Sequence, residues 1–161
     1  MIGQTSCSSS SKQNPDLSTT RDSAIFTIIP FKDYPSIFEN SQQAFLSESD
    51  FPIIENMLIK CLEEYNLEQE KINVDTNLKS TAFNADNKNY IIDLKSYKRQ
   101  YIVVTNEKEE KEVWINCFCG ESDHNWRKEL IMVDDGGNCF FNVKVNLATR
   151  VYYSLMVNGD A

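Results

Sequence analysis

Apolar and polar positions alternate along this chain with two different periods. Between residues 53 and 65 the side chains Ile53, Ile54, Met57, Leu58, Cys61, Leu62 and Tyr65 recur at spacings of three and four, with Glu55, Lys60, Glu63 and Glu64 off that line. This is one apolar face of an amphipathic helix. Ser49 or Asp50 is placed to cap it, and Pro52 suits its first turn, where a missing N–H costs little. A weaker stripe, Phe38, Phe45 and Leu46, hints at a second helix over residues 35–46. Ahead of both, "AIFTIIP" is short, β-branched and ended by Pro30, so it reads as a strand, at an edge of a sheet. Residues 66–89 are polar and asparagine-rich, and read as a connecting loop with a short strand around residues 72–74.

From residue 90 onward the period falls to two. "YKRQYIVVTN" and "EVWINCFC" read as strands joined by the charged reversal "EKEEK". "KELIMV" reads as a third strand, followed by "DDGG", whose glycines permit positive φ in a tight turn. "NCFFNVKVNL" is the cleanest alternation, with Cys139, Phe141, Val143, Val145 and Leu147 on one side. "VYYSLMVNG" closes the series, with Val151, Tyr153, Leu155 and Val157 on its apolar side. Five strands with short reversals make a meander with one dry and one wet face. The expected fold is α+β: one or two N-terminal helices packed on a roughly five-stranded antiparallel meander. It would occupy residues 23–161 as a single domain behind a disordered tail or tether, residues 1–22.

Strand parity also selects the candidate chemistry. Cys117 and Cys119 share the dry face with Val113 and Ile115, about 7 Å apart at the Cα and too far for a disulfide to one another. Buried thiols are the favoured reading. A Cys139 disulfide to one of the pair, or a metal site recruiting His124, are the alternatives, and "KELIMV" is expected to stand between Cys139 and Cys117. The opposite face offers Trp114, Phe118 and Phe140 beside Asn116, Asn142 and Lys144. Aromatics among amides make a candidate recognition surface for carbohydrate or protein; the competing reading is that another helix, residues 35–46, covers them. No catalytic set is expected: His124 lacks partners, and Asp134 and Asp135 belong to a turn. The tract "NVDTN" lacks the glycine and the terminal glutamate of an EF-hand, so no metal and no cofactor is expected.

Charge narrows the partners. A formal net charge of −8 disfavours nucleic acid and anionic lipid surfaces, and is compatible with a basic protein partner. No run approaches the ~18 apolar residues of a membrane span.

Three resemblances add to this. "TSCSSSSK" resembles the start of a mature bacterial lipoprotein, especially of the Bacteroidetes kind, which implies a lipid on Cys7, a serine-rich tether and an address in the cell envelope. The alternative is a cytoplasmic protein with a flexible tail. A helix followed by an antiparallel sheet resembles the cystatin or NTF2-like arrangement. Cystatins use a glutamine–x–valine–x–glycine hairpin, and the nearest stretch here, "QYIVV" at 100–104, ends in Val104 where that pattern has glycine. "YKRQYI", "INCFC", "DGGNCFFNVKVNL" and "YYSLMVNG" resemble small uncharacterised Bacteroidetes proteins. The expected function is a non-enzymatic binding or accessory module, envelope-tethered. An immunity or inhibitor protein that binds a basic partner is the alternative, and a small NTF2-like enzyme the second.

Overall fold

The computed structural model describes residues 25–79, 90–120 and 125–159, with the backbone alone over 73–79. Residues 1–22, the expected tail or tether with Cys7, and His124 lie outside the described residues. The described chain is α+β: one α-helix, α1 (Asp50–Lys79), lies on a mixed sheet of six strands. The strands are β1 (Phe26–Ile28), β2 (Gln42–Gln43), β3 (Tyr97–Thr105), β4 (Lys111–Cys119), β5 (Phe140–Asn146) and β6 (Val151–Val157). Their order is β1-β3-β4-β5-β6, with β2 also paired to β3. β3 to β6 form the expected antiparallel series. The sheet is not purely antiparallel, because β1 joins β3 in parallel, Phe26 opposite Arg99 and Ile28 opposite Tyr101.

α1 starts through a reciprocal cap. The Ser47 amide donates to Asp50 Oδ2 at 2.6 Å, and the Asp50 amide donates to the Ser47 carbonyl at 3.0 Å. Asp50, one of the two expected capping residues, thus bonds back to Ser47 three residues ahead, an aspartate in the place that a capping box gives to glutamate. Lys111, at the start of β4, places Nζ 2.6 Å from the same Asp50 oxygen and so ties the helix start to the sheet. The helix runs on to Lys79, well beyond Tyr65, because no glycine or proline interrupts residues 53–119. The expected loop and short strand within residues 66–79 are thus helical. Asn66 holds this extension to the body by exchanging two 2.9 Å hydrogen bonds with the backbone of Ile92.

The first core lies between α1 and the sheet. Ile54, Leu58, Cys61 and Leu62 pack on Val113, Ile115, Cys117, Phe141, Val143 and Val145, all buried. Helix period and strand period meet here as the sequence predicts.

The other face carries a second core: Ile29, Phe31, Phe38, Ile102, Val104 and Trp114, with Tyr34, Ile37 and Leu130 against it. Among the described residues no α-helix covers it. The expected helix 35–46 is replaced by two 3-10 turns, Phe31–Asp33 and Pro35–Ile37, and by β2. Its three apolar residues never shared a stripe: Phe38 enters the second core, Leu46 the first, and Phe45 is exposed. "KELIMV" is not a strand either. β5 takes the place beside β4, Phe140 opposite Phe118, and residues 126–131 fold over the sheet as a loop.

That correction brings Cys139 next to Cys119. Their Cα atoms are 5.0 Å apart and the pair forms a disulfide, so the favoured buried-thiol reading holds only for Cys61 and Cys117, which are free. Burial raises the thiol pKa of both, that of Cys61 to about 11.

β6 contains one more residue than its partner between two paired positions: Asn142 faces Met156, whereas Lys144 faces Tyr153. This bulge, with Ser154 at φ 53°, inverts the side-chain parity. Tyr152, Leu155 and Val157 therefore face the helix, while Val151 and Tyr153, expected on the dry side, are exposed. At the other end of β5 the "DDGG" turn has positive φ at both glycines. A Cβ on Gly136 would sit 2.8 Å from the Phe140 ring, so the position requires glycine twice over.

Two measurements test this fold. Denatured protein should show two fewer reactive thiols without reductant than with it, and the C119S/C139S variant should lose roughly 3 kcal/mol in urea unfolding. For Asp50, burial pushes the carboxyl pKa up, but Lys111 and the Ser47 donors outweigh it and the net shift is downward. Its contribution is accordingly complete above the ordinary carboxylate value and lost as pH falls through the lowered one. D50N should lose about 1–3 kcal/mol at neutral pH, and its deficit relative to wild type should shrink below about pH 4.

Candidate functional site

The face chosen by strand parity is occupied. Trp114, Asn116 and Phe118 are 5%, 6% and 1% exposed, so these three candidate recognition residues are interior. Trp114 sits in the second core and donates from Nε1 to Asn142 Oδ1 at 3.1 Å. Phe118 meets the Trp126 ring edge-on at 5.8 Å, and Arg127 stacks on the outer side of that indole, 4.5 Å from its centroid. Phe140 and Asn142 are half-buried. The competing reading, a helix over residues 35–46 as the cover, holds as to the cover and fails as to the helix: the turns of residues 31–38 and the 126–131 loop supply it.

The amides have a role that the parity argument missed. Gln100 and Asn116 are opposite one another on β3 and β4. Gln100 Nε2 donates to the carbonyls of Trp126 and Glu129, at 2.5 and 2.7 Å. Its Oε1 accepts from the Ile131 amide at 2.9 Å and from Asn116 Nδ2 at 3.1 Å, while Asn116 Nδ2 also reaches the Ile131 carbonyl at 2.7 Å. Gln100 is fully buried with both donors and both lone pairs engaged. This pair clasps a coil to the sheet and is unavailable to a ligand. The stretch 100–104 is likewise buried, in the middle of β3.

Among the described residues that face has a cleft of about 460 Å³ between the 36–41 turn, the 106–108 reversal and the β4–β5–β6 surface. Its walls include Phe38, Glu112, Lys144 and Tyr153. Lys144 places Nζ 4.7 Å over the Phe38 ring. Glu112 accepts from Asn146 Nδ2 at 3.0 Å. The Tyr153 hydroxyl pKa is pushed up to about 12, by burial first and then by the charge of Glu112 and a hydrogen bond to it; it stays a protonated donor at neutral pH. Asn106 shapes the rim by accepting from the amides of Lys108 and Glu110, at 2.9 and 3.0 Å. The cleft thus offers an ammonium, a carboxylate, a phenol and an aromatic edge to one small volume, the equipment for a polar ligand. Parity alone assigns Glu112 and Lys144 to this face. Tyr153 was concealed by the bulge, which nothing in the local pattern announces.

A second cleft, about 340 Å³, lies where β1 and β3 meet the first turn of α1. Phe26, Phe51 and Tyr101 form its aromatic side, with ring centroids 5.2 Å apart for Phe26–Phe51 and 5.4 Å for Phe26–Tyr101. Arg99 and Glu55 complete it, Nη1 to Oε2 at 2.5 Å.

Among the described residues no cluster of three or more histidine, cysteine, aspartate or glutamate side chains is arranged to hold a metal ion. Asp134 and Asp135 are exposed in their turn. No helix of the described chain is long and apolar enough to cross a membrane. Comparison with protein-family models, with curated proteins and with solved structures returned no match.

The clasp predicts a local effect. Q100A leaves two carbonyls and one amide of the 126–131 loop without partners. It should cost about 3 kcal/mol and speed hydrogen exchange at the Ile131 amide far more than in β5.

Proposed function

We propose that this protein is a non-enzymatic binding or accessory module of the cell envelope, and that the Lys144–Tyr153 cleft is where it takes a polar ligand, a carbohydrate in the first place. The observation that carries the reading is the cleft's composition. The Tyr153 ring supplies an aromatic surface, and Lys144 and Glu112 supply a donor and an acceptor, as sugar hydroxyls require. The Cys119–Cys139 disulfide supports the address, because such bonds persist in oxidising compartments. The serine-rich start with Cys7 supports a lipid anchor there, in keeping with the likeness to Bacteroidetes lipoproteins.

The alternative, an immunity or inhibitor protein that engages a basic partner, draws on the net charge of −8 and on Glu39, Glu107 and Glu112 around the same cleft. The NTF2-like enzyme reading calls for a deep polar pocket between helix and sheet. Leu58, Cys61, Ile115 and Val143 fill that interface, which weighs against it.

Titration of the protein with a panel of envelope and plant polysaccharide fragments should give at least one saturable binder. Y153A and K144A should each weaken it about tenfold or more with unchanged thermal unfolding. A panel-wide failure to bind, combined with tight capture of a basic protein that E112Q weakens, would turn the assignment to the alternative. Incorporation of labelled palmitate, lost in C7A, tests the anchor.

A further inference from the structure

We propose that the cleft between β1, β3 and the first turn of α1 is a second binding site, one that takes a small apolar carboxylate on Arg99. Arg99 points to the helix side of β3 and is 6% exposed. A guanidinium carries five N–H donors in a planar fork. Nη1 is engaged by Glu55 at 2.5 Å, whereas Nε is buried with no hydrogen-bond partner. An orphaned donor of this kind in a buried cation is costly and calls for an explanation, and a carboxylate meeting the fork with two oxygens supplies one.

The surroundings select the rest of the ligand. Phe26, Phe51 and Tyr101 present ring surface, so the group attached to the carboxylate gains by being apolar. The volume, about 340 Å³, suits a ring with a short chain. The first turn of α1, at Phe51, adds the positive end of a helix dipole. Glu55 is the internal stand-in for the ligand's carboxylate. Its side chain is 43% exposed, so it can return to water when an incoming acid takes its place. The Tyr101 phenol accepts a hydrogen bond from the Arg99 fork and stays neutral, its pKa raised to about 12 by burial, which the Arg99 charge and that hydrogen bond only partly offset.

The test uses the full chain, 3-phenylpropionate and its uncharged amide, followed by nitrogen–proton correlation spectra that include the arginine Nε–H. The acid should shift the Arg99 Nε–H and the Phe51 amide, with an affinity about tenfold or more above that of the amide. E55Q, which removes the competing carboxylate, should tighten the acid about fivefold and leave the amide unchanged. Equal affinity for acid and amide, no shift at Arg99 up to about 20 mM, or an E55Q variant that is no tighter for the acid overturns the proposal. If E55Q fails to fold, the comparison of acid with amide on the parent chain decides alone. Loss of sugar binding at the Lys144–Tyr153 cleft leaves this result unaffected, because the two clefts share no residue.

Discussion

A sheet with a helix on one face has a second face to protect, and among the described residues coil does the protecting. Coil brings its own backbone N–H and C=O groups into a buried layer, and each needs a partner. Gln100 and Asn116 supply four such bonds to the 126–131 loop. Gln43 does the same for the other covering segment, accepting from the Phe31 amide at 2.5 Å and donating to the Val103 carbonyl at 3.2 Å. Tyr34 accepts from the Leu130 amide and so joins the two covers to one another. The second core therefore rests on side-chain amides acting where a neighbouring strand would otherwise act.

That arrangement decides where a ligand can sit. With Trp114 and Phe118 sealed under coil, the described part of the face opens at Lys144 and Tyr153. The bulge in β6 is part of this geometry. By inverting parity at Ser154 it turns Tyr153 outward while still delivering Leu155 and Val157 to the first core. The same extra residue interrupts the regular hydrogen-bonding edge of an uncharged outer strand, a known protection against unwanted pairing.

Arg99 is the other departure from a simple two-layer plan. It stands on the helix side of β3 between Tyr97 and Tyr101, where an apolar residue would complete the core. A buried guanidinium linked to a half-exposed glutamate contributes little net stability compared with a hydrophobic pair, and its place beside an open aromatic cleft is the ground of the carboxylate-site proposal.

The sequence by itself determined the helix face from Ile53 to Tyr65, the four long strands, the charged reversal after β3 and the need for glycine at Gly136. Each is written in local spacing or in the backbone freedom of one residue, and both are visible without knowing what packs against what. Tertiary structure decided the rest. Alternation at Asn116 and Gln100 reads as a wet face because polarity records a need for hydrogen bonds and does not say whether water or a folded loop meets it. "KELIMV" has strand composition, yet β5 wins the place beside β4, and that single choice of neighbour brings Cys119 to Cys139. The bulge at Ser154, the parallel pairing of β1 and the burial of Arg99 are likewise outcomes of long-range register, which no window of adjacent residues contains.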